Sequence, residues 1–261
     1  MTDPTLSYIS LNSSCRPAIV LLHGAFSSPN EYSLVTPHLP NYHLLIPSLP
    51  SHAASASIKP FTLTLTSRLL MNLIRTNAKD KKAHIVGVSL GAHIAIHLAA
   101  NYPDVVSAVF ASGYGRFKPS MWGPVLPYTV WSVHRFEAAV PNPVKRYFMD
   151  GADLDLGEES ICTIQLCREV LAVIVSRDEI KPAKARTLVI AATKRGLVPS
   201  NDSVEDAKMV AEIMKKENGE SKAVEMNTMR HPWDIQAPEL FARCVAAWIE
   251  GTALPVEMVE L

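Results

Sequence analysis

A short apolar run, a serine set between two glycines, and a helical run follow one another without a gap over residues 83–100. The order Ala83-His84-Ile85-Val86-Gly87-Val88-Ser89-Leu90-Gly91 reads as a buried strand, a sharp turn and a helix start. Such a turn holds the serine out of the sheet, against helix N–H groups that lack an intrahelical partner. Glycines two before and two after it remove side chains that would clash in so tight a bend. A serine presented in this way is a candidate nucleophile. The plainer reading is a structural bend, since five-residue patterns also arise by chance.

Similar apolar runs at 6–11, 18–22, 42–46, 105–111, 187–192 and 223–226 predict further strands. Helical spacing predicts helices over 30–39 (interrupted by Pro37), 61–76 with Thr62 as a cap, 90–102, 202–216 and 238–250. Near-continuous apolar strands alternating with helices place the chain in the α/β class, with a mostly parallel sheet covered on both faces. With 261 residues, 48% of them hydrophobic, the chain can bury one large core. Residues 112–185 break the rhythm with Pro119, Pro124, Pro127, Pro141, Pro143 and many aromatics, and only 161–175 predicts a helix there. They read as a cap inserted between two strands, over the strand ends where open α/β sheets bind ligands. The alternative is an extra helical layer packed on the core. The expected division is a core of 1–112 and 186–261 with a cap of 113–185.

Lys+Arg and Asp+Glu number 25 each, so the net charge is zero. That balance argues against a nucleic-acid groove or an anionic membrane surface, and for a small neutral or weakly polar molecule as partner. No apolar stretch reaches the roughly 18 residues of a transmembrane helix. The start Met1-Thr2-Asp3-Pro4-Thr5-Leu6 lacks the basic-then-apolar order of a signal peptide. Cys15, Cys162, Cys167 and Cys244 are scattered and without a histidine partner at metal spacing. They suggest free thiols in a cytoplasmic protein, with no metal and no cofactor implied.

A serine hydroxyl needs a base within reach, usually oriented by a carboxylate. Among nine histidines, His231 follows the 223–226 strand and precedes the last helix, at the sheet edge where the serine turn lies. It reads as the base, or else as an ordinary loop histidine. His93 and His97 have the spacing of two metal ligands on one helix face, yet Ile94, Ala95 and Ile96 around them suit packing. His23 reads as a residue that shapes its loop. An oxyanion needs backbone donors. These would be the N–H of Leu90 and one from the loop after His23-Gly24, Ala25 or Phe26.

His23-Gly24-Ala25-Phe26, the turn Gly87-Val88-Ser89-Leu90-Gly91 and His231, in this order across residues 17–250, resemble the α/β-hydrolase superfamily. The stretch from His23 through Tyr32 and Leu39 is similar to the branch containing plant methylesterases and hydroxynitrile lyases. The resemblance implies an eight-stranded, mostly parallel sheet, a helical cap after the sixth strand, and ester, thioester or related chemistry. In such an enzyme Phe26 and the cap aromatics Trp122, Trp131 and Phe136 would line the substrate pocket.

Two departures stand out. The family's acid follows the strand that is 187–192 here, and Arg195 occupies that place. The acid is then Asp202 or Glu205, or comes from Asp234 or the cap group Asp150, Asp153, Asp155, or is absent. Asp202 also reads as an acid that merely favours a helix start. In the segment 46–53, Ser48 replaces an aspartate while Ser51 and Ala53 replace glycines, which predicts a different bend because serine and alanine avoid positive φ. Three functions follow. The first is a serine hydrolase that cleaves an ester or thioester of a medium-sized, largely apolar molecule through an acyl-enzyme. The second, motivated by the displaced acid, is a lyase or cyclisation enzyme using the same pair for proton transfer. The third is a non-catalytic small-ligand receptor, which would have no need of both Ser89 and His231.

Overall fold

Strands β2 (Ala18–Leu22) and β3 (His43–Pro47) are buried along their whole length, which only a sheet covered on both faces allows. A computed structural model describes residues 3–117, 123–152, 162–176, 179–195 and 202–261. The other strands are β1 (Tyr8–Leu11), β4 (Ala83–Val88), β5 (Val106–Ser112), β6 (Arg186–Ala192), β7 (Lys222–Met226) and β8 (Val259–Glu260). They form one sheet in the order β1-β3-β2-β4-β5-β6-β7-β8. Only the edge strands β1 and β8 run antiparallel to their neighbours. The eighth strand is the two-residue β8, too short to leave a periodic signal in the sequence.

Alternate residues of each strand feed opposite faces. Val20, Leu22, Ile85, Val109 and Val189 pack under α1 (Leu63–Asn77), α2 (Leu90–Asn101) and α6 (Val204–Lys215). Ile19, Leu21, Val86, Phe110 and Ile190 pack under α7 (Trp233–Gln236) and α8 (Pro238–Glu250). Thr62 caps α1 as expected, its hydroxyl accepting the Leu65 N–H. The helix predicted over 30–39 is two 3-10 turns, Pro29–Tyr32 and Thr36–His38.

A helical insertion of α3 (Leu126–Ala139), α4 (Asn142–Phe148) and α5 (Ile164–Ile174) separates β5 from β6. Along this chain it follows the fifth strand, which the family's count makes the sixth. Periodicity revealed only α5. Pro127 and Pro143, which read as breakers, lie in the first turns of α3 and α4, where a missing N–H does no harm. Among the described residues the insertion meets the core through Leu166 and Val170, which pack within it, and through polar and aromatic contacts. The His134 ring of α3 lies 5.5 Å from that of Phe26. Glu169 of α5 accepts the Phe61 N–H at 2.9 Å and the Ser51 hydroxyl at 3.1 Å. Asp150, after α4, receives Arg230 Nε at 2.6 Å and Lys194 Nζ at 2.9 Å.

The bend at 46–53 corrects the sequence expectation. Ser51 and Ala53 do adopt positive φ, 65° and 39°. Left-handed backbone costs about 1–2 kcal/mol for each such residue. Hydrogen bonds offset it here: Ser51 N–H to Ile58 O at 2.9 Å, His52 N–H to Leu49 O at 3.0 Å, and the Ser51 hydroxyl to Glu169. No helix among the described residues is long and apolar enough to cross a membrane.

Candidate active site

Ser89 sits between β4 and α2 with φ 55° and ψ −115°, a conformation that L residues adopt only under constraint. Its N–H donates to Ser112 O of β5 at 2.8 Å. The flanking glycines are there for space. A Cβ on Gly91 would stand 2.1 Å from Leu22 O, and one on Gly87 would stand 2.2 Å from Gly91 O. Gly91→Ala must therefore push α2 off β2. It should destabilise the protein by about 3 kcal/mol, read as a lower urea midpoint at unchanged m.

The His23-Gly24 loop ends β2. His23 Nδ1–H donates to Gly24 O at 2.8 Å, and its Nε2 accepts the Leu49 N–H at 3.2 Å. Burial, with the neighbouring His52, pushes the His23 pKa down to about 3, so the ring is neutral and serves as a clamp. The peptide unit is planar and trans, so fixing the Gly24 carbonyl also fixes the opposed N–H of Ala25. Leu90 opens α2, with its N–H among the unpaired donors of the helix start.

His231 stands on the loop between β7 and α7. Trp233, fully buried, anchors that loop: its ring packs on Phe241 at 4.7 Å and its indole N–H donates to Ser112 Oγ at 2.7 Å. Gly113, the residue after β5, lies against both the imidazole and the Ser89 backbone. A Cβ on Gly113 would lie 2.6 Å from His231 Cε1 and 3.5 Å from the Ser89 nitrogen, and its φ is +74°. Both backbone conformation and space thus require glycine there. Gly113→Ala should displace the ring, seen by NMR on histidine-labelled protein as a changed His231 resonance.

The other ring nitrogen finds an acid. His231 Nδ1–H donates to Asp202 Oδ1 at 2.5 Å, and the Asp202 side chain is only 4% exposed. Asp202 is itself tied to the end of β6: its Oδ2 accepts the Ala192 N–H at 2.8 Å and its N–H donates to Ala192 O at 2.9 Å. The helix predicted from 202 starts two residues later. Ser203 caps it, its hydroxyl accepting the Asp206 N–H, so Asp202 is free of helix duty. Burial disfavours the His231 imidazolium, but the hydrogen bond and charge of Asp202, with Asp234 and Glu31 behind, outweigh it and the net pKa direction is upward.

The sequence profile of the alpha/beta hydrolase family matches residues 19–243. This chain belongs to that family. It is 37% identical over 257 residues to an AB hydrolase superfamily protein of Gibberella zeae, spanning 98% of this chain and 87% of that one. Over 99 residues (38% of this chain and 37% of that protein) it is 32% identical to a pimeloyl-acyl-carrier protein methyl ester esterase of Aromatoleum aromaticum. The enol-lactonase from Burkholderia xenovorans LB400 superposes with a TM-score of 0.71, covering 94% of this chain and 96% of that one at 16% identity. That last likeness is one of fold.

Within this hydrolase-family frame the remaining candidates fall in different places. Phe26 (φ 59°) carries its ring from the His23-Gly24 loop to His134 of the insertion. Trp131 lies half-buried on α3 with the Arg135 guanidinium 5.9 Å from its ring centre. Phe136, expected in the pocket, is 72% exposed and is not a buried pocket wall. Trp122, Asp153 and Asp155 fall outside the described residues. Glu205 accepts the Ser203 hydroxyl at 3.4 Å, and Asp150 is engaged by Arg230 and Lys194. His93 packs on Tyr114, ring centres 4.1 Å apart, whereas His97 pairs with the Ser67 hydroxyl at 2.8 Å. Gly113 and Glu31 escaped the sequence reading. A glycine directly after a strand was the available signal for the first. For the second it was an acid directly before Tyr32, in a run that folds as a buried turn.

Proposed function

We propose that this protein is a serine hydrolase that cleaves an ester or thioester of a medium-sized, largely apolar molecule. Ser89 attacks the carbonyl. His231 takes its proton through Nε2 and later protonates the leaving group. Asp202 holds the imidazole in the tautomer that keeps Nε2 basic. The N–H groups of Ala25 and Leu90 receive the oxyanion. The single observation that carries this reading is the Asp202–His231 hydrogen bond, since the apparent loss of an acid was what favoured lyase or cyclisation chemistry.

The insertion acts as the cap in this reading, with Phe26 and Trp131 among the residues that shape the entrance. A cleft of about 660 Å³ lies between α5 and the ends of α1 and α2, within the size range of small-molecule sites. Phe61, Ile96 and Val173 give it apolar walls, and Arg116 gives a charged rim. His93, one turn beyond Ser89, and Tyr114, beside Gly113, are its walls nearest in sequence to the centre. It would take the part of the substrate remote from the reacting carbonyl.

A fluorophosphonate should modify Ser89, located by mass spectrometry of peptides; an unmodified Ser89 under conditions that label a known esterase would end the proposal. The pH dependence gives a second check. The base must be neutral, and its pKa is raised above 6.5, so kcat/KM should climb with pH through a midpoint above 6.5. A midpoint below it would mean that Asp202 does not stabilise the imidazolium.

A further inference from the structure

Two buried carboxyl groups stand beside this centre and take no part in the chemistry above. Glu31, on the 3-10 turn Pro29–Tyr32, is 6% exposed, and Asp234 of α7 is fully buried. Glu31 accepts the Gly24 N–H with both oxygens, each at 3.0 Å. A carbon in the Cβ position of Gly24 would lie 3.4 Å from Glu31 Oε2 and 3.7 Å from Ser89 Cβ, so this carboxylate borders the nucleophile's turn. Asp234 is placed differently. Neither of its carboxyl oxygens has a hydrogen-bond partner among the described residues.

We propose that Glu31 is a positioning residue of the centre: it fixes the loop carrying Ala25, and it adds to His231 a negative charge beyond that of Asp202. The inference deepens the ester-hydrolase reading and rests on it for the roles of Ala25 and His231.

The anchoring follows from the loop. Glu31 holds the peptide before Gly24 by its N–H, and His23 holds the peptide after it by its carbonyl. Both units that flank Gly24 are then fixed, and with them the direction of the Ala25 N–H. Without Glu31 a buried N–H is left unpaired and one side of the turn is free.

The charge follows from the pair. Two carboxyl groups in one dry pocket do not both ionise. Burial raises the pKa of each above the ordinary carboxylate range, and the Glu31 charge raises that of Asp234 further. The Gly24 N–H donates to both Glu31 oxygens, whereas neither Asp234 oxygen has a hydrogen-bond partner among the described residues. Burial pushes the Glu31 pKa up to about 7 and that of Asp234 further, so above about pH 7 the charge rests on Glu31 and the proton on Asp234. Tyr32 beside them is kept neutral by burial and by the Glu31 charge. Three acids from three separate elements surround His231, and of these Asp202 and Glu31 carry the charge while Asp234 holds the proton. The Glu31 charge stabilises the imidazolium that forms when Ser89 gives up its proton.

Glu31→Gln keeps the shape and an acceptor for Gly24 while removing the charge. By NMR on histidine-labelled protein, the His231 ring in Glu31→Gln should titrate about half a pH unit or more below wild type. Asp234→Asn leaves Glu31 charged, so its His231 should titrate at or above the wild-type midpoint. An unchanged midpoint in Glu31→Gln, or an equal fall in both variants, overturns the proposal. In kinetics with p-nitrophenyl butyrate, Glu31→Ala should lower kcat about 30-fold with KM within about threefold, and Glu31→Gln should recover most of that loss. A loss in Glu31→Gln as deep as that in Glu31→Ala overturns the anchoring role. Failure of the hydrolase reading has another signature: no fluorophosphonate adduct on Ser89 while the His231 midpoints still separate as stated. The imidazole titration then decides the inference alone.

Discussion

Ser89→Ala should lose about 10⁴- to 10⁶-fold in kcat/KM on p-nitrophenyl esters while folding normally. The variant keeps the proposed oxyanion donors and the His231–Asp202 pair, so what remains is their assistance to direct attack by water. The fold should tolerate the change, because a φ of 55° strains alanine as much as serine. Ser89→Gly sharpens the test. Glycine adopts that backbone freely, so this variant should be as inactive as Ser89→Ala yet more stable by about 1 kcal/mol, seen as a higher Tm. Opposite responses of activity and stability at one residue would mean that the turn is held strained to present a hydroxyl. Full ester turnover in Ser89→Ala would remove the nucleophile from the mechanism. Equal stability of the two variants would remove the strain argument but leave the chemistry standing.

What could be read from the sequence was local. The strand, serine and helix of 83–100 lie within one stretch, and each glycine's reason is a contact made by that stretch or by the adjacent β2. His231 was legible because a loop between a short strand and the last helix returns to one known edge. The acid was harder. Arg195 marks where the family places it, and Asp202 reaches His231 only because its backbone and side chain both tie back to Ala192 at the end of β6. No spacing rule contains that return. The insertion as a whole is legible, but its helices α3 and α4 are hidden because their prolines begin them instead of interrupting them. Ser51 and Ala53 show the opposite error, since a propensity against positive φ yielded to hydrogen bonds that only the fold supplies. Glu31 lacked any one-dimensional signal. A single acid beside an aromatic reads as surface until the turn that buries it has formed.

Asp202→Asn should lower kcat by about 10⁴-fold with little change in KM, the size of effect seen when a triad acid becomes an amide. The reason is the direction of a hydrogen bond. Asp202 Oδ2 is already committed to the Ala192 N–H, and an asparagine would keep its carbonyl oxygen there. Its NH₂ would then face His231 Nδ1, which must become an acceptor. The ring proton moves to Nε2, and the nitrogen that should take the Ser89 proton is blocked. The charge is lost as well, leaving burial as the first influence on the imidazole. The midpoint of the kcat/KM profile should therefore move from above 6.5 to lower pH. Arg195→Ala is the matched control, since its exposed side chain stands at the family's acid position. It should leave kcat/KM within about threefold, as expected for an exposed and screened charge. A 10⁴-fold loss on Asp202→Asn with Arg195→Ala unaffected would place the orienting carboxylate at 202. If Asp202→Asn turned over ester at the wild-type rate, Ser89 and His231 would have to act as a dyad, and the lyase reading would regain its motive.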